Sequence, residues 1–201
     1  MTARRLSQAI SEGDGISLIV PATDPRSVRV AEEQGAEGVV VEQDLPGLRE
    51  ATGLPIIWRS DAPPAEVLAL GADACLIPAD ALESDAERLE RRYTEALDLG
   101  LECVVEVRDP DELELALERL DPEIFLLSPR GRDDGDDPLE QVLDLLPDIP
   151  AGKLAIADLG VTNRDEVAEL ERAGVDGVQQ GHRLPRRDDA GHANGRRGPV
   201  G

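Results

Sequence analysis

An α/β fold of the closed (β/α)8 class, a TIM barrel, is what this sequence predicts, and three observations lead there. Short apolar runs alternate with amphipathic stretches about eight times along the chain. The runs are continuously apolar, as parallel strands covered on both faces are, rather than alternating apolar and polar. A helix, a tight turn and a buried strand recur as a unit in EEQGAEGVVVE, LALGADACLIP, LDLGLECVVEV and LERAGVDGVQQ. At 201 residues the chain lies near the lower edge of the roughly 200 to 250 that such a barrel needs, so one domain is expected.

The strand candidates, in order, are residues 16–20, 38–42, 55–59, 74–79, 102–107, 124–128, 153–158 and 177–180. Helix starts fall between them at Asp24-Pro25, Pro63-Pro64, Ser84-Asp85, Asp109-Pro110 with Glu112, and Thr162-Asn163 with Glu166. Each puts a capping side chain or a proline ahead of an apolar period, where first-turn amides need acceptors and proline has no amide to lose. Between residues 42 and 54 only a short helix near 46–52 fits. After Leu184 the chain reads PRRDDAGHANGRRGPVG, with almost nothing to bury. Residues 1–184 are therefore assigned to the barrel and 185–201 to a disordered tail. A barrel's final helix would normally stand there, so either that helix is missing or residues 1–12 help close the gap.

Acids outnumber bases 43 to 21, a formal charge of -22 that would repel nucleic-acid phosphates and anionic lipid heads. Neither nucleic acid nor membrane is an expected partner. No apolar run approaches the roughly 18 residues of a membrane span and the N-terminus carries no signal-like stretch, so a cytoplasmic location is expected. Cys75 and Cys103 lie in apolar strands without further ligands at metal spacing; buried thiols are expected, with no metal and no cofactor. The only lysine is Lys153.

In this fold chemistry collects where strands end and the following loops begin. Those positions hold Arg59 after PIIW, Glu106 in VVEVR, Ser128 and Arg130 in LLSPRG, Asp158 and Gly160 in IADLGV, and Gly181 in VQQGHR. A carboxylate among β-branched residues, such as Glu106, is costly to bury unless paired or useful. It serves either chemistry or an ion pair with Arg59 or Arg130 across the mouth. Gly160 and Gly181 end the seventh and eighth strands, where barrels often hold phosphate on backbone amides; the alternative is a pair of tight turns.

The run LGLECVVEVRDPDELELAL resembles the fifth βα unit of indole-3-glycerol-phosphate synthases, roughly LGLxxLVEVHDxxELxxAL. ATGLPIIWRSD is similar to that family's LPVLRKDF segment, LGADACLIPADAL to its GADAVLLIAAAL, and IADLGVTNRDEVAELERAGVDGVQQGHRL to its ESGI segment followed by GVDAVLVGESLM. The likeness covers about residues 54–184. It implies a carboxy-lyase of tryptophan biosynthesis that closes an indole ring on a phosphorylated anthranilate-ribulose. By position it makes Glu106 the catalytic glutamate, Asp158 the counterpart of a strand-seven glutamate, and Gly160 and Gly181 phosphate-binding glycines. Arg130 stands for the arginine of an NNR-like turn, and Ser128 and Arg130 are the implied substrate-binding pair.

The departures concern proton chemistry. Arg59 stands where the family has its general-acid lysine, Ser128 where it has asparagine, and Leu159 where it has serine. The early KxxSPSxG segment is replaced by SLIVPATDP. Lys153, at the start of strand seven, is expected on the opposite face. A guanidinium keeps its proton at any physiological pH, so Arg59 can polarise an oxygen but donates poorly. Weakened synthase activity is the expectation, the alternative being a non-catalytic or repurposed barrel that binds a phosphorylated small molecule.

Overall fold

The computed structural model describes residues 5–13, 15–129, 137–160 and 164–180, with the backbone alone at 80–84, 164, 165 and 180. Chain order gives α1 (Leu6–Ser11), β1 (Ser17–Pro21), α2 (Pro25–Glu33), β2 (Gly38–Val41), α3 (Leu48–Ala51), β3 (Ile56–Trp58), α4 (Pro64–Ala69) and β4 (Ala74–Pro78). There follow α5 (Asp80–Asp98), β5 (Glu102–Val107), α6 (Pro110–Arg119), β6 (Ile124–Leu127), α7 (Pro138–Leu145), β7 (Leu154–Leu159), α8 (Arg164–Ala173) and β8 (Gly177–Gln180). The strands pair in chain order into a closed barrel. β8 returns parallel to β1, with Ser17 opposite Gly177 and Ile19 opposite Gln179. The fold is the TIM barrel that the eight apolar runs predicted.

Alternation along each strand sorts the core into two shells. Ile19, Val40, Ile57, Leu76, Val104, Ile124, Leu126 and Ile156 form one cluster inside the barrel. Val39, Val41, Cys75, Ile77, Val105, Val107, Phe125 and Leu127 point outward to the helices, where they meet Val28, Val67, Leu113 and Val142. Both strand faces are covered, which is why the runs read as continuously apolar.

The recurring helix–turn–strand unit has a backbone reason. Its four glycines, Gly35, Gly71, Gly100 and Gly174, all have φ between +82° and +100°. A left-handed residue ends the helix and turns the chain back into the next strand, and glycine adopts it without strain. Aspartates start the helices: Asp24 accepts from the amides of Arg26 and Ser27, and Asp109 from that of Glu112. Those two amide contacts hold the Asp24 carboxyl below its ordinary pKa. At the expected Ser84-Asp85 start the helix is already under way from Asp80. It kinks at Asp85, whose Oδ1 accepts from the Arg88 amide at 3.3 Å, so the capping signal marks a restart within α5. The Thr162-Asn163 start and the tail at 185–201 lie outside the described residues.

Within the described part of residues 1–12, α1 covers the base of the barrel rather than the β8–β1 seam. Leu6 and Ile10 of α1 sit in the interior cluster at 0% and 4% exposure. Full burial of such side chains is worth about 2 kcal/mol each. The Glu102 carboxylate, at the start of β5, accepts from the Leu6 amide at 2.6 Å, from the Ser7 amide and from Ser7 Oγ. A residue 96 positions away thus supplies the acceptors that the first turn of α1 lacks. The cysteines, register partners on β4 and β5, are free and buried in the outer shell, with Sγ atoms 3.9 Å apart.

Candidate functional site

The C-terminal strand ends bring four polar side chains together. Arg59 is the first residue past β3, and its amide donates to Val41 O at 2.8 Å, which keeps it in the sheet register. Val105 and Val107 face the helices, so Glu106 between them faces the barrel axis. The same alternation turns Asp158 inward, between Ala157 and Leu159 of the outer shell. Ser128 follows β6, its amide bound to Val107 O at 3.0 Å.

Arg59 Nη2 lies 3.0 Å from Asp158 Oδ2 and 3.5 Å from Glu106 Oε1. Ser128 Oγ is 2.8 Å from Glu106 Oε1 and 3.5 Å from Asp158 Oδ2, and its single proton serves the nearer carboxylate. One guanidinium therefore spans two carboxylates, and the Ser128 hydroxyl donates to the same Glu106 oxygen. The pairing of Glu106 with Arg59 is the ion pair weighed from the sequence, and it places Glu106 within reach of Asp158. The side chains are 27%, 20% and 14% exposed for Arg59, Glu106 and Asp158, half-sheltered at the mouth. Arg59 Nε is buried and has no partner among the described residues.

The loops behind these groups are braced. Ser60 Oγ accepts from Trp58 Nε1 at 2.6 Å and from the Ala62 amide at 3.2 Å. Arg92 of α5 binds Ser60 O and pairs with Asp61 at 3.4 Å. After β5, Glu112 turns back to accept from the Arg108 amide at 2.8 Å while Asp109 caps α6. Such bracing limits how far Arg59 and Glu106 can swing.

Gly160 follows β7 in an exposed position, and a Cβ there would meet no described residue within 4 Å. Arg130 and Gly181 lie outside the described residues. Lys153 is at the opposite end, its Nζ 2.6 Å from Asp121 Oδ1 and 2.8 Å from Pro122 O below β6. Leu159 packs in the outer shell, away from the axis.

One inward polar residue was not singled out from the sequence. Gln179 of β8 is 4% exposed and stands opposite Asp158 in the β7–β8 register. Its signal was available: VQQG puts two amides where the other strands carry aliphatic residues.

Comparison with known proteins gives one family. Residues 64–195 match the model of the family described as indole-3-glycerol phosphate synthase. Relatives of that name include one from Geobacillus sp. (strain WCH70), 31% identical over 188 residues, covering 86% of this chain and 72% of the relative. One from Geobacillus kaustophilus (strain HTA426) is 32% identical over 192 residues, 88% of this chain and 73% of the relative. A third, from Shouchella clausii (strain KSM-K16), is 30% identical over 175 residues, 80% of this chain and 68% of the relative.

Proposed function

Because the chain belongs to the indole-3-glycerol phosphate synthase family, we infer that its barrel mouth receives a phosphorylated anthranilate-ribulose in tryptophan biosynthesis and turns it over slowly. The observation that carries the reading is the cluster of Arg59, Glu106, Ser128 and Asp158 at the C-terminal rim. Phosphate is assigned to the amides around Gly160 and Gly181, and the substrate's remaining polar groups to Ser128 and Arg130.

Ring closure joins an aromatic carbon to the ketone carbon, expels carbon dioxide from that aromatic carbon, and loses the former ketone oxygen as water. An acid must protonate the oxygen, and a base must take a proton as the ring aromatises. Arg59 polarises the oxygen through its positive charge, but a guanidinium releases its proton poorly near neutral pH. Glu106 and Asp158 act as the proton carriers. A well-placed general acid is typically worth about 100-fold to 10,000-fold in rate, and a lysine at position 59 would supply one. The absent term is the reason for slow turnover.

A second reading has its own support: both carboxylates are already engaged by Arg59, an arrangement suited to binding without turnover. Calorimetry with the phosphorylated anthranilate-ribulose tests what the two readings share. Binding by the natural protein, lost in Gly160→Asp without a lower unfolding temperature, supports phosphate at that turn. A carboxylate placed there repels the anion, and no described residue stands within 4 Å of a Cβ at Gly160. No binding by the natural protein refutes both.

A further inference from the structure

We propose that Gln179 is a ligand-binding residue that reads a hydroxyl or carbonyl of a polyhydroxylated chain held in the barrel mouth, and so sets specificity for a sugar phosphate. The proposal rests on the phosphorylated ligand inferred above and names a contact within it. Val178 belongs to the outer shell, and a Cβ on Gly177 would meet Ile156 of the interior at 3.5 Å. Residues 177 and 179 therefore face the axis. Gln179 is register partner to Asp158 on one side and Ile19 on the other, at the level where the apolar interior gives way to the charged mouth.

At 4% exposure its amide makes no hydrogen bond with any described residue. The Gln179 amide atoms are not among the fully enclosed polar atoms that lack a partner, so the amide keeps access to solvent at the mouth, where a ligand can reach it. The Arg59 Nε–H, by contrast, is enclosed and has no partner among the described residues. Two polar groups at one mouth, after β3 and on β8, thus have no partner among the described residues.

The charge balance selects the kind of group. Among the described residues Glu106 and Asp158 share one guanidinium, which leaves carboxylate oxygens free to accept from a ligand. A neutral hydroxyl fits, because it donates to a carboxylate and accepts from the Gln179 amide, which itself both donates and accepts. The phosphate then lies at the rim, near Gly160.

Calorimetry with two probes separates this contact from phosphate binding: D-ribulose 5-phosphate, and n-pentyl phosphate of the same chain length without hydroxyls. In Gln179→Leu the affinity for ribulose 5-phosphate falls about tenfold, while that for pentyl phosphate holds or rises. The unfolding temperature does not fall, because no internal bond is lost. Gln179→Met serves in the same role if the leucine variant folds poorly. Equal changes for both probes, or a lower unfolding temperature in both variants, would overturn the role of Gln179 and leave phosphate binding standing. Failure of the natural protein to bind either probe would remove the proposed function, and this inference with it.

Discussion

Replacing Arg59 with methionine keeps most of the aliphatic stem and removes the charge that holds Glu106 and Asp158 together. Breaking a fully buried ion pair from one side costs about 3 to 5 kcal/mol, because the partner is left as an uncompensated charge. Here Arg59 is 27% exposed and its partners 20% and 14%, so water screens part of the loss. Two carboxylates are stranded rather than one, which acts in the other direction. The expected destabilisation at neutral pH is about 2 kcal/mol, or roughly 4 to 8 °C in the unfolding temperature of a domain this size. Urea denaturation at pH 7.5, followed by circular dichroism, reads it. A variant as stable as the natural protein would show that Arg59 contributes only its stem.

Three further outcomes follow from particular contacts. Glu102→Ala removes the acceptors of the Leu6 and Ser7 amides and should cost about 1 to 2 kcal/mol in urea denaturation; an unchanged midpoint would mean that α1 plugs the base by packing alone. Tyr93, the sole tyrosine, is pushed up to about 12 by burial first, then by the nearby carboxylates Glu123 and Asp121. Its raised value means that the neutral phenol is favoured in the fold, so its contribution to stability is complete below about pH 10 and is lost as pH rises through 12. Absorbance at the phenolate band should titrate near the higher value, and a native midpoint near 10 would contradict the burial. Arg59→Lys should raise synthase turnover above that of the natural chain while leaving it well short of a full enzyme, because the early SPS-like segment is still absent; a rate equal to or below the natural one would place the defect elsewhere.

The barrel was legible because its code is local and repeated. Four glycines at left-handed φ and strands apolar on both faces leave little room for another topology. Asp24 and Asp109 announced their helices by capping chemistry alone, whereas Asp85 announced a kink, since nothing in its neighbours says that the helix begins earlier. The plug formed by α1 was only half visible: Leu6 and Ile10 have the right spacing, but their acceptor, Glu102, is fixed by tertiary structure. Within the site, Arg59, Glu106, Ser128 and Asp158 could be named from strand ends, yet that one guanidinium would span both carboxylates depends on barrel diameter and register. Gln179 escaped notice because its strand is short and the partner that makes it matter, Asp158, is set by the β7–β8 ladder.

The central claim is a family barrel that keeps its ligand site and has lost most of its proton-donating power. A fluorescence assay of indole formation on the purified natural protein, supplied with the phosphorylated anthranilate-ribulose, tests it most directly. The expected rate is at least about 100-fold below that of a lysine-bearing relative measured alongside, consistent with the loss of one general acid. Turnover matching that relative would contradict the account and show that Glu106, Asp158 and Arg59 supply the proton without a lysine.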